Sequence, residues 1–333
     1  MSFDLPGCFA MTETGHGSDV QQLATTATCA RLRDVVAAAA TIHEIDIAET
    51  ALARVPSDDP DRARLTALCL LERGRYTEAL EALDAPGVAR SRARSALASR
   101  LRGERDLFDV ATRVGRAGGP AVRRPGGRPV ERLRVLHVVT NALPEVQAGY
   151  TLRTQGIALA QAAAGHDVHV VTRLGFPVDI GRVAAERTVD VDGITHHRLI
   201  PTRPLPLTAA GRLDAGVEAL AELVADLRPG VLHAHSKHDN AQLALAVGAR
   251  LGIPVVYEVR GFLEETWRSR GGATDADEYA LARAAEDACM AAADHVVAIS
   301  ESLRADVVSR GVPPERVSVV ANSVADSFLQ PLH

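Results

Sequence analysis

The run RVLHVVTNALPEVQAGYTLRTQGIALAQAAAGHDVHVVT, Arg134–Thr172, decides the fold. Its first seven residues, Arg134–Thr140, are an apolar run of the kind that forms a strand buried on both sides. A helix over Tyr150–Ala164 follows, closed by Gly165. Asp167–Thr172 supplies a second short β-branched strand. Strand, helix, strand within forty residues is a parallel crossover unit.

The same texture continues downstream. Thr188–Val191 and Ile194–Leu199 flank Asp192-Gly193, a two-residue hairpin signal. Ala209–Leu227 is a long helix with Leu213, Val217, Leu220 and Val224 on one face. Strands at Val231–Ala234, Pro254–Glu258, His295–Ile299 and Val317–Val320 alternate with helices at Asn240–Leu251, Asp275–Ala293 and Glu301–Arg310. Residues 132–333 are therefore expected to form an α/β domain, a doubly wound, Rossmann-like parallel sheet with ligands at the carboxyl ends of its strands.

Upstream the pattern is helical. Residues 30–113 are rich in Ala, Arg and Leu, and residues 114–131 hold Gly, Pro and Arg, the composition of an extended linker. Within the helical part, LLERGRYTEALEALD (Leu70–Asp84) resembles one tetratricopeptide hairpin turning at Gly74–Tyr76. A small helical cap on the next domain is the other reading of the same residues.

Composition excludes several classes. The chain has 333 residues, 47% hydrophobic and 24% charged, the balance of a globular protein of roughly two domains. A net charge of −5 argues against nucleic acid as a partner. Apolar runs are too short for a transmembrane segment. Cys8, Cys29, Cys69 and Cys289 are far apart, which fits a reducing cytoplasm. The only lysine is Lys237, so no Gly-Lys-Ser/Thr phosphate loop exists. No Gly-x-Gly-x-x-Gly follows the first strand, so no dinucleotide cofactor is expected.

Three places can carry chemistry. The loop Asn141–Ala148 ends in Gly149 at a helix start, followed on the same turn by Tyr150 and Arg153. Such a position offers backbone N–H groups to an anion or a sugar hydroxyl; alternatively, the glycine only permits the turn. Strand Val231–Ala234 opens into His233-Ala-His235-Ser-Lys237-His238, and alternation sends His233 and His235 to one side. His235 is the candidate to hydrogen-bond a polar substrate; inert histidines at a strand end are the plain alternative. Tyr257-Glu258-Val-Arg260-Gly-Phe262-Leu-Glu264-Glu265-Thr-Trp267 gathers aromatics and charges in a chain that is 3% aromatic, a mixture suited to sugars. A surface ion pair from Arg260 to Glu264 is the plain alternative.

The histidine spacing resembles part of the metallo-β-lactamase signature. That family has Asp where Lys237 stands, and a cation beside a metal is unfavourable, so no metal is expected. A broader resemblance rests on Arg134–Thr172 together with VLHAHSKHDNAQLALAVGARLGIPVVYEVRGFLEETW and ADHVVAISESLRADVVSRGVPPERVSVVANSV. These pieces, over about residues 133–333, resemble the N-terminal half of a family-4 retaining glycosyltransferase of the GT-B fold. The resemblance implies transfer of a sugar from a nucleotide-sugar donor to a hydroxyl acceptor, such as a sugar, a polysaccharide or a lipid-linked molecule. It implies a catalytic His235, a loop glycine at Gly149, and Arg260 and Glu264 near the acceptor cleft. Ala321-Asn322-Ser323-Val324 departs from the family's Pro-Asn-Gly-Val. The nucleotide would be held mainly by a second sheet domain, expected beyond His333. Negligible activity is therefore expected of this chain alone, with a donor-domain protein in trans as a possible partner and a non-catalytic binding module as the alternative reading. The family implies a cytoplasmic protein, with the inner membrane face as a peripheral site. Finally, Gly7–Thr28, carried by Met11, Thr12, Glu13, Gly15, Gly17, Ser18 and Asp19, resembles a flavin-contacting segment of acyl-CoA oxidases and dehydrogenases. Nothing else matches that body, so residues 1–29 are expected to be a poorly ordered fusion scar.

Overall fold

The computed structural model describes residues 17–85, 91–117, 132–183 and 185–323. Contacts divide the chain into two units, Met1–Asp106 with Trp267–Leu281, and Leu107–Thr266 with Ala282–His333.

The first unit is helical. It contains α1 (Gly17–Thr26), α2 (Cys29–Thr41), α3 (Ile45–Ala53), α4 (Arg62–Glu72), α5 (Tyr76–Asp84) and α6 (Arg92–Asp106). Its core gathers Leu32, Val35, Val36, Ile47, Ala51, Leu65 and Cys69. Ala24 and Ala27 belong to the same core. The expectation of an unordered segment over residues 1–29 is corrected for residues 17–29, because burying these alanines against α2 and α3 repays the ordering of α1. The carrying residues Met11, Thr12, Glu13 and Gly15 lie outside the described residues, and no comparison supports the flavin-enzyme resemblance.

Helices α4 and α5 form the hairpin read at Leu70–Asp84. The turn needs Gly74, whose φ is +68° and whose added Cβ would lie 2.5 Å from Cβ of Glu278. Glu278 belongs to the stretch Trp267–Leu281, which is tied to this hairpin by Glu278 N–H donating to Gly74 O at 3.0 Å and by an Arg75–Asp275 ion pair at 2.8 Å. Trp267 lies 3.1 Å from the same added Cβ. The sequence alone had assigned this stretch to the second domain; its ion pairs and turn contacts attach it to the first.

The second unit is the sheet domain. Its strands are β1 (Arg134–Val139), β2 (Asp167–Thr172), β3 (Thr188–Val191), β4 (Ile194–Arg198), β5 (Val231–His235), β6 (Val255–Val259), β7 (His295–Ala298) and β8 (Val317–Val319). They run in the order β3-β4-β2-β1-β5-β6-β7-β8, parallel except for the β3–β4 hairpin. Its helices are α7 (Val110–Ala117), α8 (Gly149–Ala163), α9 (Ala209–Leu227), α10 (His238–Leu251), α11 (Leu263–Ser269), α12 (Asp277–Ala292) and α13 (Glu301–Ser309), with the unit boundary running through α11 and α12.

The alternating residues of each strand face two layers. Leu136, Val138, Leu232, Ala234, Tyr257 and Val296 join Leu220, Val247, Met290 and Val307 in one large core under α9, α10, α12 and α13. Helix α7, counted with the helical segment in the sequence, adds Val110 to this core, and its buried Arg113 pairs with Asp214 at 2.9 Å. On the opposite face α8 covers Val139, Val168, Val170 and Ile194 through Ala158. Side-chain caps start α7, α9 and α13: Asp109 Oδ1 accepts from Thr112 N–H at 3.0 Å, Thr208 Oγ1 from Gly211 N–H at 3.2 Å, and Ser300 Oγ from Leu303 N–H at 3.1 Å.

Candidate functional site

Parallel register builds the site. His137 of β1 lies opposite His233 of β5, and His235 lies opposite Glu258 of β6. Period-two alternation puts all four side chains on the face that carries α8. The rings of His233 and His235 stack with centroids 4.5 Å apart, and His137 lies 4.8 Å from His233 and 5.0 Å from His235.

One hydrogen-bond chain fixes their protonation. Nη2 of Arg260 can only donate, and it meets Nδ1 of His235. His235 therefore carries its proton on Nε2 and donates it to Nδ1 of His137 at 2.7 Å. His137 in turn donates from Nε2 to Oε1 of Gln161 at 2.8 Å. Both rings are neutral in this arrangement. Burial, reinforced by neighbouring cationic groups, pushes the pKa of His137, His233 and His235 down to about 3, which agrees.

Glu258 is the buried counter-charge. Its Oε1 accepts from Arg153 Nε at 3.1 Å and from Arg260 Nε at 2.5 Å. Burial works to raise its pKa, but its charged and hydrogen-bonding neighbours, the Arg260 guanidinium among them, outweigh burial and hold the carboxyl well below the usual range. Arg260 also donates to Tyr150 O at 2.8 Å and to Thr154 Oγ1 at 3.1 Å, so it locks the strand end to the first turn of α8. Arg153 reaches the chain leaving β8, donating to Val320 O at 2.7 Å, Ala321 O at 3.1 Å and Asn322 Oδ1 at 3.1 Å.

Five of the six residues singled out in the sequence thus meet at the carboxyl edge of β1, β5, β6 and β8. Tyr150 is 43% exposed, and its hydroxyl accepts from Asn141 Nδ2 at 3.0 Å. At Gly149 an added Cβ would meet nothing within 4 Å, so neither packing nor a left-handed φ calls for glycine here. His235 is 1% exposed with both ring nitrogens engaged, and it supports Arg260 from beneath.

Glu264 stands apart. It is fully buried and pairs with Arg310 at 2.7 Å, while the Arg310 guanidinium lies 3.6 Å from the Phe262 ring centroid. The Arg260–Glu264 pair is replaced by Arg260–Glu258 and Glu264–Arg310. An aromatic platform at residues 257–267 does not assemble either: Tyr257 is buried on the other face and donates to Glu286 Oε2 at 2.6 Å, Phe262 lies under Arg310, and Trp267 belongs to the helical unit. Alternation along β6 explains Tyr257, which points to the layer opposite Glu258; Phe262 and Trp267 lie beyond the strand, at and within α11.

His238 does not join His233 and His235. It opens α10, and its ring lies 5.3 Å from that of Phe108 and 3.1 Å from Gln242 Nε2. Among the described residues the group with metal-ligand proximity is His137, His233 and His235, whose ring nitrogens lie within 4.8 Å of one another. This donor set does not suit a cation. The two closest nitrogens already share one hydrogen bond, and the Arg260 guanidinium occupies the far side of His235. Sequence reasoning missed His137 and Gln161, and it named Glu258 only as one of the charges in the 257–267 stretch, without its role as the buried partner of Arg153 and Arg260. These roles were legible only through register, since Gln161 lies on a helix and His137 and Glu258 on strands otherwise read as apolar.

The fold and site define a Rossmann-like α/β unit with its polar groups gathered at the carboxyl edge of the sheet. The model of the glycosyl transferase 4-like domain matches residues 148–323, a little over half of the chain, and the chain belongs to that family. Among solved structures it is similar to the UDP-GlcNAc 2-epimerase of Methanocaldococcus jannaschii, at 12% identity and TM-score 0.39 over 57% of this chain and 46% of that one. It is also similar to sucrose-phosphate synthase of Thermosynechococcus elongatus, at 14% identity and TM-score 0.39 over 59% and 92%. The calicheamicin glycosyltransferase CalG4 aligns at 14% identity and TM-score 0.33 over 59% and 54%. The chain spans about half the length of the epimerases it matches, 46% and 44%. Comparison with curated protein sequences gives no match. Among the described residues no helix is long and apolar enough to cross a membrane.

Proposed function

We propose that the sheet domain is the acceptor-binding half of an enzyme that moves a sugar from a nucleotide-sugar donor to a hydroxyl, with retained configuration. The observation that carries this is the convergence of Gly149, Tyr150, Arg153 and Arg260 at the carboxyl edge of the sheet, in a chain of the glycosyl transferase 4-like family. The open backbone at Gly149 lets a hydroxyl approach the N–H groups that begin α8. Tyr150 offers an exposed ring beside it, and Arg260 a guanidinium held by Glu258, Tyr150 O, Thr154 and His235. His235 acts through Arg260 as a positioning residue, because a neutral, buried imidazole with both nitrogens bonded is a poor proton donor. The nucleotide is bound by a second sheet domain, in the same polypeptide or in trans, and turnover needs it. No cofactor takes part.

The test is a panel of sugars, glycosides and lipid-linked glycans screened by saturation-transfer NMR, with wild type and Arg260→Met compared. Acceptor contact that drops at least tenfold in the variant is expected. Glycosyl transfer by the isolated chain from UDP- or GDP-sugars would contradict the division of labour. An affinity for acceptors untouched by Arg260→Met would contradict the site.

A further inference from the structure

Parallel sheets bury both faces, because their strands are apolar on both sides. Here α9, α10, α12 and α13 cover one face, whereas on the other α8 covers β1 and β2. Beyond α8 the second face holds a cavity of about 400 Å³, within the size range of small-molecule sites. Val135, Ile157, Val231 and Val256 contribute its apolar wall, Gln161, His166, His295 and Ser318 also line it, and His233 and Glu258 meet there as a buried polar pair.

That polar pair is built and unfinished. His233 is 7% exposed and Glu258 is fully buried. Nε2 of His233 and Oε2 of Glu258 have no hydrogen-bond partner among the described residues, although each other polar contact of Glu258 is made through Oε1. The two atoms lie 3.7 Å apart, too far to bond each other and close enough for one oxygen to bond both. A buried polar atom left unsatisfied is destabilising, so a group that satisfies both is favoured.

The electrostatics name that group. A carboxylate oxygen repels an anion. Arg153 and Arg260 already neutralise Glu258, so an ammonium gains little there. A neutral imidazole facing a carboxylate presents N–H, which leaves one donor and one acceptor. A hydroxyl accepts from the first and donates to the second. We propose that this cavity binds a neutral alcohol with an apolar body, its hydroxyl bridging His233 Nε2 and Glu258 Oε2 and its chain lying along Val231 and Val256. The site is on the sheet face, separate from the exposed edge at Gly149 and Tyr150, and it stands whether or not the transferase reading does.

The test uses the full chain and three probes of one length, 1-octanol, octylamine and octanoate, titrated by calorimetry. Octanol is expected to bind at least tenfold more tightly than either charged probe. His233→Phe keeps a ring and removes the donor, and is expected to weaken octanol about tenfold without changing the weak binding of octylamine. Val256→Trp, on the cavity wall, is expected to abolish octanol binding while the far-ultraviolet circular dichroism stays that of wild type. Equal binding of the three probes, no octanol binding, or octanol binding that survives Val256→Trp overturns the proposal.

Discussion

Acidification should unfold this protein through its histidine stack, and the size of the effect follows from burial. His137, His233 and His235 are neutral in the fold, with pKa values pushed down to about 3 chiefly by desolvation. In the unfolded chain the same rings titrate near the ordinary histidine value of 6.5. Above pH 6.5 both states are neutral and the stability is fully present. As pH falls below 6.5 the unfolded chain takes up protons that the fold refuses, so stability is lost down to about pH 3. Each ring then costs about 1.4 kcal/mol per pH unit, or about 2 kcal/mol at pH 5 relative to pH 8. Three rings give an upper limit of about 6 kcal/mol, comparable to the whole stability of an ordinary domain. His196 and His197, pushed down to about 4 by burial, steepen the same limb. Urea unfolding followed by circular dichroism at pH 8, 7, 6 and 5 measures the slope in wild type and in His233→Phe, which should be shallower by about 1.4 kcal/mol per unit. A wild-type stability that is flat from pH 7 to pH 5, or a variant with an unchanged slope, refutes the reasoning.

Arg153→Met should destabilise the sheet domain by about 3 kcal/mol in urea, because buried Glu258 loses a partner and the carbonyls of Val320 and Ala321 lose their donor. Arg153→Lys should recover only part of this, since one ammonium cannot reach four acceptors in fixed directions. Gly74→Ala should lower the midpoint of thermal unfolding by several degrees, roughly 2 kcal/mol, from the left-handed φ and the clash with Glu278; an unchanged midpoint refutes it. A double-mutant cycle of Glu264→Gln and Arg310→Met should show a coupling energy of about 3 kcal/mol, as suits a buried pair, and a value near zero would place Glu264 in solvent.

Much of the sheet domain was legible from sequence because its signals are local. Short apolar runs with β-branched texture marked β1, β2 and β5 to β8, and Asp192-Gly193 marked the β3–β4 hairpin. Helix limits fell within a few residues of those observed, because Thr208, Ser300, Gly165 and Gly252 punctuate them. The candidate site was legible only in outline. Gly149 and Arg260 stand at loop positions where the doubly wound fold directs attention. Glu258 does not, because its role depends on which strand lies beside β5 and on which face alternation selects. His137 sits in a run that reads as apolar, and only register with His233 reveals the stack. Glu264 was misplaced for the same reason, its partner Arg310 lying 46 positions away on another helix. The attachment of residues 267–281 to the helical unit rests on ion pairs and a turn contact that no periodicity encodes.

The central claim is that a hydroxyl acceptor binds at the carboxyl edge of the sheet. Backbone amide chemical shifts, recorded while the tightest acceptor from the glycan panel is titrated in, test it most directly. Perturbations concentrated at residues 149–154, 236–237 and 260–261 are expected. Perturbations concentrated at the opposite strand ends, around His166, Gly230 and Pro254, or within the helical unit, would contradict it.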